Sequence, residues 1–127
     1  MPKSDVTLSG KRCLVLDDEF LIALDIQQVL EDCGADVVCA GNVADALSAI
    51  DGAGFDLGVL DLKLSGTPAT SIAVAEALSA RGTPIVFLTG MRGDDVHTAR
   101  FPRAPVVIKP YETPLLLSAI ARALSGA

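Results

Sequence analysis

The chain has 127 residues and a formal net charge of −6 at pH 7, and half of its residues are hydrophobic although only 4% are aromatic. This length is typical of one domain, and the composition favours an aliphatic core. The negative charge argues against a duplex-DNA-binding protein. No apolar run reaches the roughly 18 residues that a membrane span needs. The N-terminus has no signal-peptide core. We therefore expect a cytoplasmic protein without a nucleic-acid or membrane partner.

Short apolar runs alternate with helical patterns along the chain. The predicted strands are residues 12–16, 36–40, 57–60 leading into Asp61, 85–88 and 106–108. The predicted helices are residues 19–33, 42–51, a third from 68 or 71 to 81, a short one ending by residue 100, and a last one from 112 or 114 to 124. Five βα units in alternation predict one parallel sheet with helices on both faces. We expect a loose lead-in over residues 1–9 and a single domain over residues 10–127.

Residue patterns also predict local details of the helices. In the first helix an apolar stripe at helical spacing is expected to be buried, and it consists of Ile22, Ile26, Val29, Leu30 and Cys33. Phe20, Leu21 and Leu24 fall on the opposite side and are expected to be an exposed docking face. Gly34 is placed to end this helix. Asn42 is predicted to cap the second helix, with Asp45 three residues on, and Thr113 to cap the last.

Reactive side chains follow four of the predicted strands. Asp17 and Asp18 follow the first strand, Asp61 ends the third, Thr89 follows the fourth and Lys109 follows the fifth. Ligands of open α/β sheets bind outside the carboxyl ends of the strands, where these side chains would meet. At about 5 Å and an effective dielectric constant near 20, each pair of like charges costs roughly 3 kcal/mol. One lysine cannot neutralise three acids, so the pattern predicts a Mg²⁺ site for phosphoryl chemistry.

With these motifs the chain resembles the receiver domain of two-component response regulators, from about residue 10 to residue 125. The resemblance implies a doubly wound, flavodoxin-like α/β fold with five parallel strands in the order 2-1-3-4-5. It also implies that Asp61 is the phosphoacceptor, assisted by Thr89 and Lys109, and that the Lys109-Pro110 peptide bond is cis. The Mg²⁺ ligands that it implies are Asp17, Asp18, Asp61 and the backbone carbonyl of Lys63.

A finer resemblance is to stand-alone alphaproteobacterial receivers that carry a Phe-Ala-Thr-Gly signature at the end of strand four. This chain has Phe87-Leu88-Thr89-Gly90 there, with leucine in place of alanine. Val106 stands where ordinary receivers have an aromatic residue, so activation without an aromatic switch is expected. The resemblance implies a sensor histidine kinase or a phosphotransfer protein as partner, output by protein contact or onward phosphotransfer, and a monomer or weak dimer that is not a turnover enzyme.

Two other functions fit parts of the pattern. A small Mg²⁺-dependent aspartyl phosphatase of haloacid-dehalogenase type also uses an aspartate at a strand end, but it has a second acid two residues later, where this chain has Lys63. A receiver kept only as a binding surface is the other alternative, and the presence of all five site residues argues against it. Each signal alone has an ordinary explanation, since acids also favour helix N-termini and turns.

Overall fold

The computed structural model of the chain describes residues 7–62, 69–90 and 99–125. Within these residues five parallel strands form one sheet in the order β2-β1-β3-β4-β5. The strands are β1 (Arg12–Leu16), β2 (Asp36–Ala40), β3 (Leu57–Asp61), β4 (Ile85–Thr89) and β5 (Val106–Ile108). The helices are α1 (Phe20–Asp32), α2 (Val43–Gly52), α3 (Ala69–Ala80) and α4 (Thr113–Ser125). The predicted doubly wound α/β fold is confirmed. The expected short helix before residue 100 falls largely on residues 91–98, outside the described ones.

The sheet is covered on both faces, as its continuous apolar strands require. One face packs against α1 and α4, with Val15, Val59 and Leu88 among its buried residues. The other face packs against α2 and α3 and contains Leu60 and Phe87. Every residue of β3 and β4 is buried. The strand that carries Asp61 therefore lies at the centre of the domain.

The buried core begins nearer to the N-terminus than the sequence predicts. Leu8, which falls in the expected lead-in, is fully buried, and its backbone N–H donates to the carbonyl of Cys33 at 2.8 Å. A single leucine in a polar segment has no periodicity that would reveal its burial. The division into a lead-in of residues 1–9 and a domain of residues 10–127 stays a prediction, but core contacts already begin at Leu8.

Close packing of α3 on β3 depends on a glycine. A Cβ atom built on Gly58 would lie 2.5 Å from Cδ1 of Leu78, which is itself fully buried. Carbon atoms pack at about 3.5–4.0 Å, so any larger residue at position 58 must displace the leucine or the helix. Gly58 therefore leaves the space that the Leu78 side chain of α3 occupies against the strand that ends in Asp61.

Most of the helix ends lie where the sequence predicts them. Gly34 follows α1 with a φ of 100°, and Asn42 caps α2 by accepting the N–H of Asp45 at 2.8 Å. The expectation that Thr113 caps the last helix is wrong by one residue. The carbonyl of Glu112 accepts the first helical N–H groups, those of residues 115 and 116, so Glu112 is the cap and Thr113 already lies inside α4. No helix in the described part of the chain has the length and apolarity of a membrane span.

Candidate functional site

The strand ends bring the predicted site residues to one edge of the sheet. Asp17 follows β1, and its N–H donates to the carbonyl of Ala40 at 3.1 Å, which extends the pairing of β1 with β2 by one residue. Asp61 and Thr89 are the last residues of β3 and β4, and both are buried. Lys109 follows β5, and its N–H donates to the carbonyl of Thr89 at 2.7 Å. Backbone pairing therefore holds each of these residues in place.

Three carboxylates meet at this edge. Each of Asp17, Asp18 and Asp61 offers a carboxylate oxygen that lies within 4.8 Å of the other two. Asp17 and Asp61 are buried, whereas Asp18 is exposed. At this separation each ionised pair costs about 3 kcal/mol at an effective dielectric constant near 20. The cluster is therefore strained by charge and open to solvent on the side of Asp18.

Lys109 is the cation that faces the cluster. Its Nζ donates to Oδ2 of Asp61 at 3.1 Å and lies 3.6 Å from Oδ2 of Asp17. It is also 3.6 Å from Oε1 of Glu19, a residue that the sequence analysis did not place in the site although it continues the acidic run after β1. Burial alone would lower the pKa of Lys109, but the neighbouring carboxylates outweigh this and raise its pKa. The lysine is therefore held in its charged form.

Asp17 is the least satisfied member of the cluster. Burial raises its pKa to about 6; the backbone N–H of Glu19, which donates to Oδ1 at 2.9 Å, opposes this rise, and the charge of Asp61 adds to it. Its other oxygen, Oδ2, is buried and has no hydrogen-bond partner among the described residues. A buried carboxylate oxygen without a donor is costly, and a cation beside it would remove that cost.

The donor set fits a hard divalent cation. Carboxylate oxygens are the ligands that Mg²⁺ prefers, and Mg²⁺ usually keeps several waters, for which the open side at Asp18 leaves access. Oδ2 of Asp17, which has the charge of Lys109 at 3.6 Å but no hydrogen-bond partner among the described residues, is an oxygen that a metal ion could bind. The expected fourth ligand, the carbonyl of Lys63, lies outside the described residues.

The segment just after Asp61 is fixed by two hydrogen bonds. The N–H of Leu62 donates to the carbonyl of Leu88 at 2.8 Å, and its carbonyl accepts from Oγ of Ser71 at 3.0 Å. Ser71 lies in the first turn of α3 and is fully buried. Ser71 was not predicted as a site residue, because a serine near a helix N-terminus is common and signals no particular contact.

An exposed apolar face borders the site on α1. Phe20 and Leu21 are 75% and 76% exposed, and Leu24 is 48% exposed, as predicted from the helical pattern. The hydroxyl of Tyr111, two residues after Lys109, donates to Oδ2 of Asp25 at 3.1 Å. This bond joins α1, the helix that carries the apolar face, to the segment that follows Lys109.

A cavity in the described part of the chain lies away from this site. It has a volume of about 410 Å³ and is lined by Thr83, Pro84 and Ile85 at the start of β4 and by Arg100, Phe101 and Arg103. The start of β4 is the opposite edge of the sheet from Asp61. None of the residues of the acidic cluster lines this cavity.

A central parallel sheet with an acidic pocket and a lysine at its carboxyl edge is typical of phosphoacceptor switch proteins. The family model of the response regulator receiver domain matches residues 13–121, and the chain belongs to that family. The predicted cis peptide bond between Lys109 and Pro110 is present. The finer resemblance to receivers with a Phe-Ala-Thr-Gly signature stays a prediction.

Known proteins agree with this assignment. The chain is 32% identical over 120 residues to the transcriptional regulatory protein PdtaR of Mycobacterium tuberculosis, a match that covers 91% of this chain and 57% of that protein. Thus the chain spans little more than half the length of that relative. A receiver protein from Sinorhizobium medicae WSM419 is 25% identical with a TM-score of 0.81, covering 94% of this chain and 98% of the other. A CheY-like receiver domain protein from Methanospirillum hungatei JF-1 is 26% identical with a TM-score of 0.80, covering 93% and 96%.

Proposed function

We propose that this chain is the phosphoacceptor of a two-component phosphorelay and that Asp61 receives the phosphoryl group from a histidine kinase or a phosphotransfer protein. The observation that carries the proposal is the position of Asp61. It is buried at the end of the central strand, in contact with Lys109 and within 4.8 Å of two further carboxylates. In this function the protein is a substrate and a switch, and not a turnover enzyme.

The proposed step exchanges one bond to phosphorus for another. A carboxylate oxygen of Asp61 attacks the phosphorus of the donor phosphohistidine, the new O–P bond forms as the N–P bond breaks, and the leaving imidazole takes up a proton from solvent. Lys109, which is already hydrogen-bonded to Asp61, would stabilise the negative charge of the incoming phosphoryl oxygens. The hydroxyl of Thr89 is proposed to form a hydrogen bond with the phosphoryl group after transfer, and this change in Thr89 would mark the phosphorylated state.

The acids of the cluster are proposed to hold Mg²⁺. Asp17, Asp18 and Asp61 would bind it through carboxylate oxygens, together with the carbonyl of Lys63, and the bound ion would neutralise the charge that builds up on the phosphoryl oxygens. Asp17 is held for this task by the N–H of Glu19 on one oxygen, which leaves the other oxygen available. Exposure of Asp18 leaves the pocket open on the side from which a donor would approach.

Docking of the phosphodonor is proposed to use the apolar face of α1. Phe20, Leu21 and Leu24 are exposed beside the acid pair, and exposed apolar clusters of this kind mark contacts with other proteins. The output is proposed to pass by protein contact or onward phosphotransfer from a monomer or a weak dimer.

Labelling with a small phosphodonor tests the proposal. The protein is incubated with acetyl phosphate, with and without Mg²⁺, and its intact mass is measured. We expect the mass gain of one phosphoryl group, dependent on Mg²⁺, that is lost in Asp61→Asn and kept in Asp51→Asn, an exposed acid on α2.

The same experiment separates the alternatives. Continuous consumption of acetyl phosphate without a stable mass gain would favour a phosphatase, and no reaction would favour a binding surface. A phosphoryl group on the Asp61→Asn variant would refute Asp61 as the acceptor.

A further inference from the structure

Two buried hydroxyl groups hold the two ends of β3. At the carboxyl end, Oγ of Ser71 donates to the carbonyl of Leu62 at 3.0 Å. At the opposite end, Oγ1 of Thr83 donates to the carbonyl of Phe55, two residues before the strand, at 3.1 Å. Both donors are buried, and each comes from an end of α3 or the segment that follows it. The two bonds are alike in chemistry and differ in their distance from Asp61.

The hydrogen bond at the carboxyl end of β3 helps to fix the backbone of Leu62, the residue next to Asp61. The N–H of Leu62 is bonded to β4 and its carbonyl to α3, so both of its backbone polar groups have partners. Leu62 and Ser71 are both fully buried. Water therefore cannot replace the hydroxyl if it is removed, and the carbonyl must either stay unsatisfied or turn towards another donor. Turning the carbonyl rotates the backbone that follows Asp61.

We propose that Ser71 is a positioning residue for phosphoryl transfer: its hydroxyl fixes the backbone of Leu62 and thereby the direction of the Asp61 carboxylate. This inference rests on the proposed function of Asp61. Ser71 touches neither Asp61 nor the donor by the bond described, and it acts through the backbone of Leu62.

The expected effect follows from the geometry of the transfer. Attack on phosphorus needs the carboxylate oxygen in line with the leaving group, and a misplacement of about 1 Å can lower a rate about 100-fold. Productive sites hold their groups to within about 0.5 Å. Removal of the hydroxyl should therefore lower the limiting rate of labelling about tenfold or more. It should leave the acetyl phosphate concentration at half-maximal rate unchanged, because the charges that bind the donor are untouched.

The test compares the two ends of the strand. Ser71→Ala removes the bond beside Asp61, and Thr83→Val removes the equivalent bond at the far end with little change of shape. Labelling rates are measured over a range of acetyl phosphate concentrations in saturating Mg²⁺, and thermal unfolding of each variant is measured in parallel. We expect both variants to lose stability to a similar degree, whereas only Ser71→Ala labels slowly. Ser71→Cys, which is slightly larger and offers a weaker donor, should label at an intermediate rate and serves if the alanine variant does not fold.

The outcomes distinguish this inference from the function on which it rests. If wild-type protein is not labelled at all, the proposed function is wrong and the role of Ser71 falls with it. If wild-type protein is labelled and the serine variants are labelled equally fast, Asp61 remains the acceptor and only the positioning role is overturned. Equal slowing of the Ser71 and Thr83 variants would also overturn it, because it would show a general effect of lost stability.

Discussion

Replacing Asp17 with asparagine is expected to stabilise the metal-free protein at neutral pH. The carboxylate of Asp17 is 2% exposed, has one oxygen without a hydrogen-bond partner and lies beside Asp61. Asparagine keeps an oxygen for the N–H of Glu19 and carries no charge. The substitution therefore removes the cost of burying a charge at this position and, in addition, the repulsion between Asp17 and Asp61.

The magnitude follows from the pKa of Asp17, which rises from 3.8 to about 6 on folding. At about 1.4 kcal/mol for each pH unit, this difference makes the ionised form about 3 kcal/mol less favourable in the fold than in the unfolded chain. The amide of asparagine is also desolvated and does not attract Lys109, so we expect a net gain of about 1–3 kcal/mol in the free energy of unfolding.

The gain should depend on pH with a definite sign. Because the pKa of this acid is raised in the fold, the stability that its protonation confers is fully present below pH 3.8 and is lost as the pH rises through 6. The difference between variant and wild type should therefore be largest above pH 6 and shrink between pH 6 and 4. Comparing the two proteins at each pH cancels the titrating groups that lie far from Asp17 and that the two proteins share.

Urea unfolding in EDTA, from pH 4 to 8, measures this difference, with Asp51→Asn as the control for loss of an exposed acid. The control should change stability by less than about 0.5 kcal/mol. Saturating Mg²⁺ should stabilise wild type more than the Asp17→Asn variant, because a ligand that binds only the folded state stabilises it. A variant that is less stable than wild type at pH 7.5 in EDTA would refute the reasoning.

Three further outcomes are expected. Gly58→Ala should lower the free energy of unfolding by about 1–3 kcal/mol through overpacking against Leu78, and by less in a Leu78→Ala background, where a double-mutant cycle by urea unfolding measures the coupling. Leu24→Glu should leave labelling by acetyl phosphate intact while slowing transfer from a cognate kinase; equal loss of both would show that Leu24 is needed for folding rather than docking. A beryllofluoride phosphoryl mimic should change amide exchange mainly between residues 90 and 100, next to Thr89. This is expected because Val106 provides no aromatic side chain whose movement could carry the activation. Changes confined to α4 would contradict this expectation.

The strand ends were the most predictable part of the molecule. Apolar runs closed by Asp17, Asp61 and Thr89 identify buried parallel strands, because such strands are covered on both faces and read as continuous hydrophobic segments. The rule that ligands lie at the carboxyl edge then brings the side chains together without any knowledge of their contacts. Exposure of Leu24 and the cap at Asn42 follow from local patterns in the same way.

Contacts between distant segments were not predictable from the same patterns. Ser71 and Gly58 take their roles from the approach of α3 to β3, which no local period records. Leu8 is buried because the chain before β1 bonds to the end of α1. The contact of Glu19 with Lys109 joins residues 90 positions apart in different βα units. Each of these depends on tertiary distance, whereas the predictable features depend on neighbours in the sequence.

The contact of Lys109 with Asp61 also matters for folding, because the chain is synthesised from its N-terminus and Lys109 is made after Asp61. The acids at the ends of β1 and β3 are synthesised first, and their counter-charge follows 48 residues after Asp61, beyond the edge strand β5. A growing chain that has formed only its first three strands would gather carboxylates that repel one another without this lysine. Addition of the last strand, with Lys109 after it, therefore removes part of this repulsion. A nascent or truncated chain that lacks residue 109 should fold poorly at its reactive edge, which ties competence for signalling to completion of the sheet.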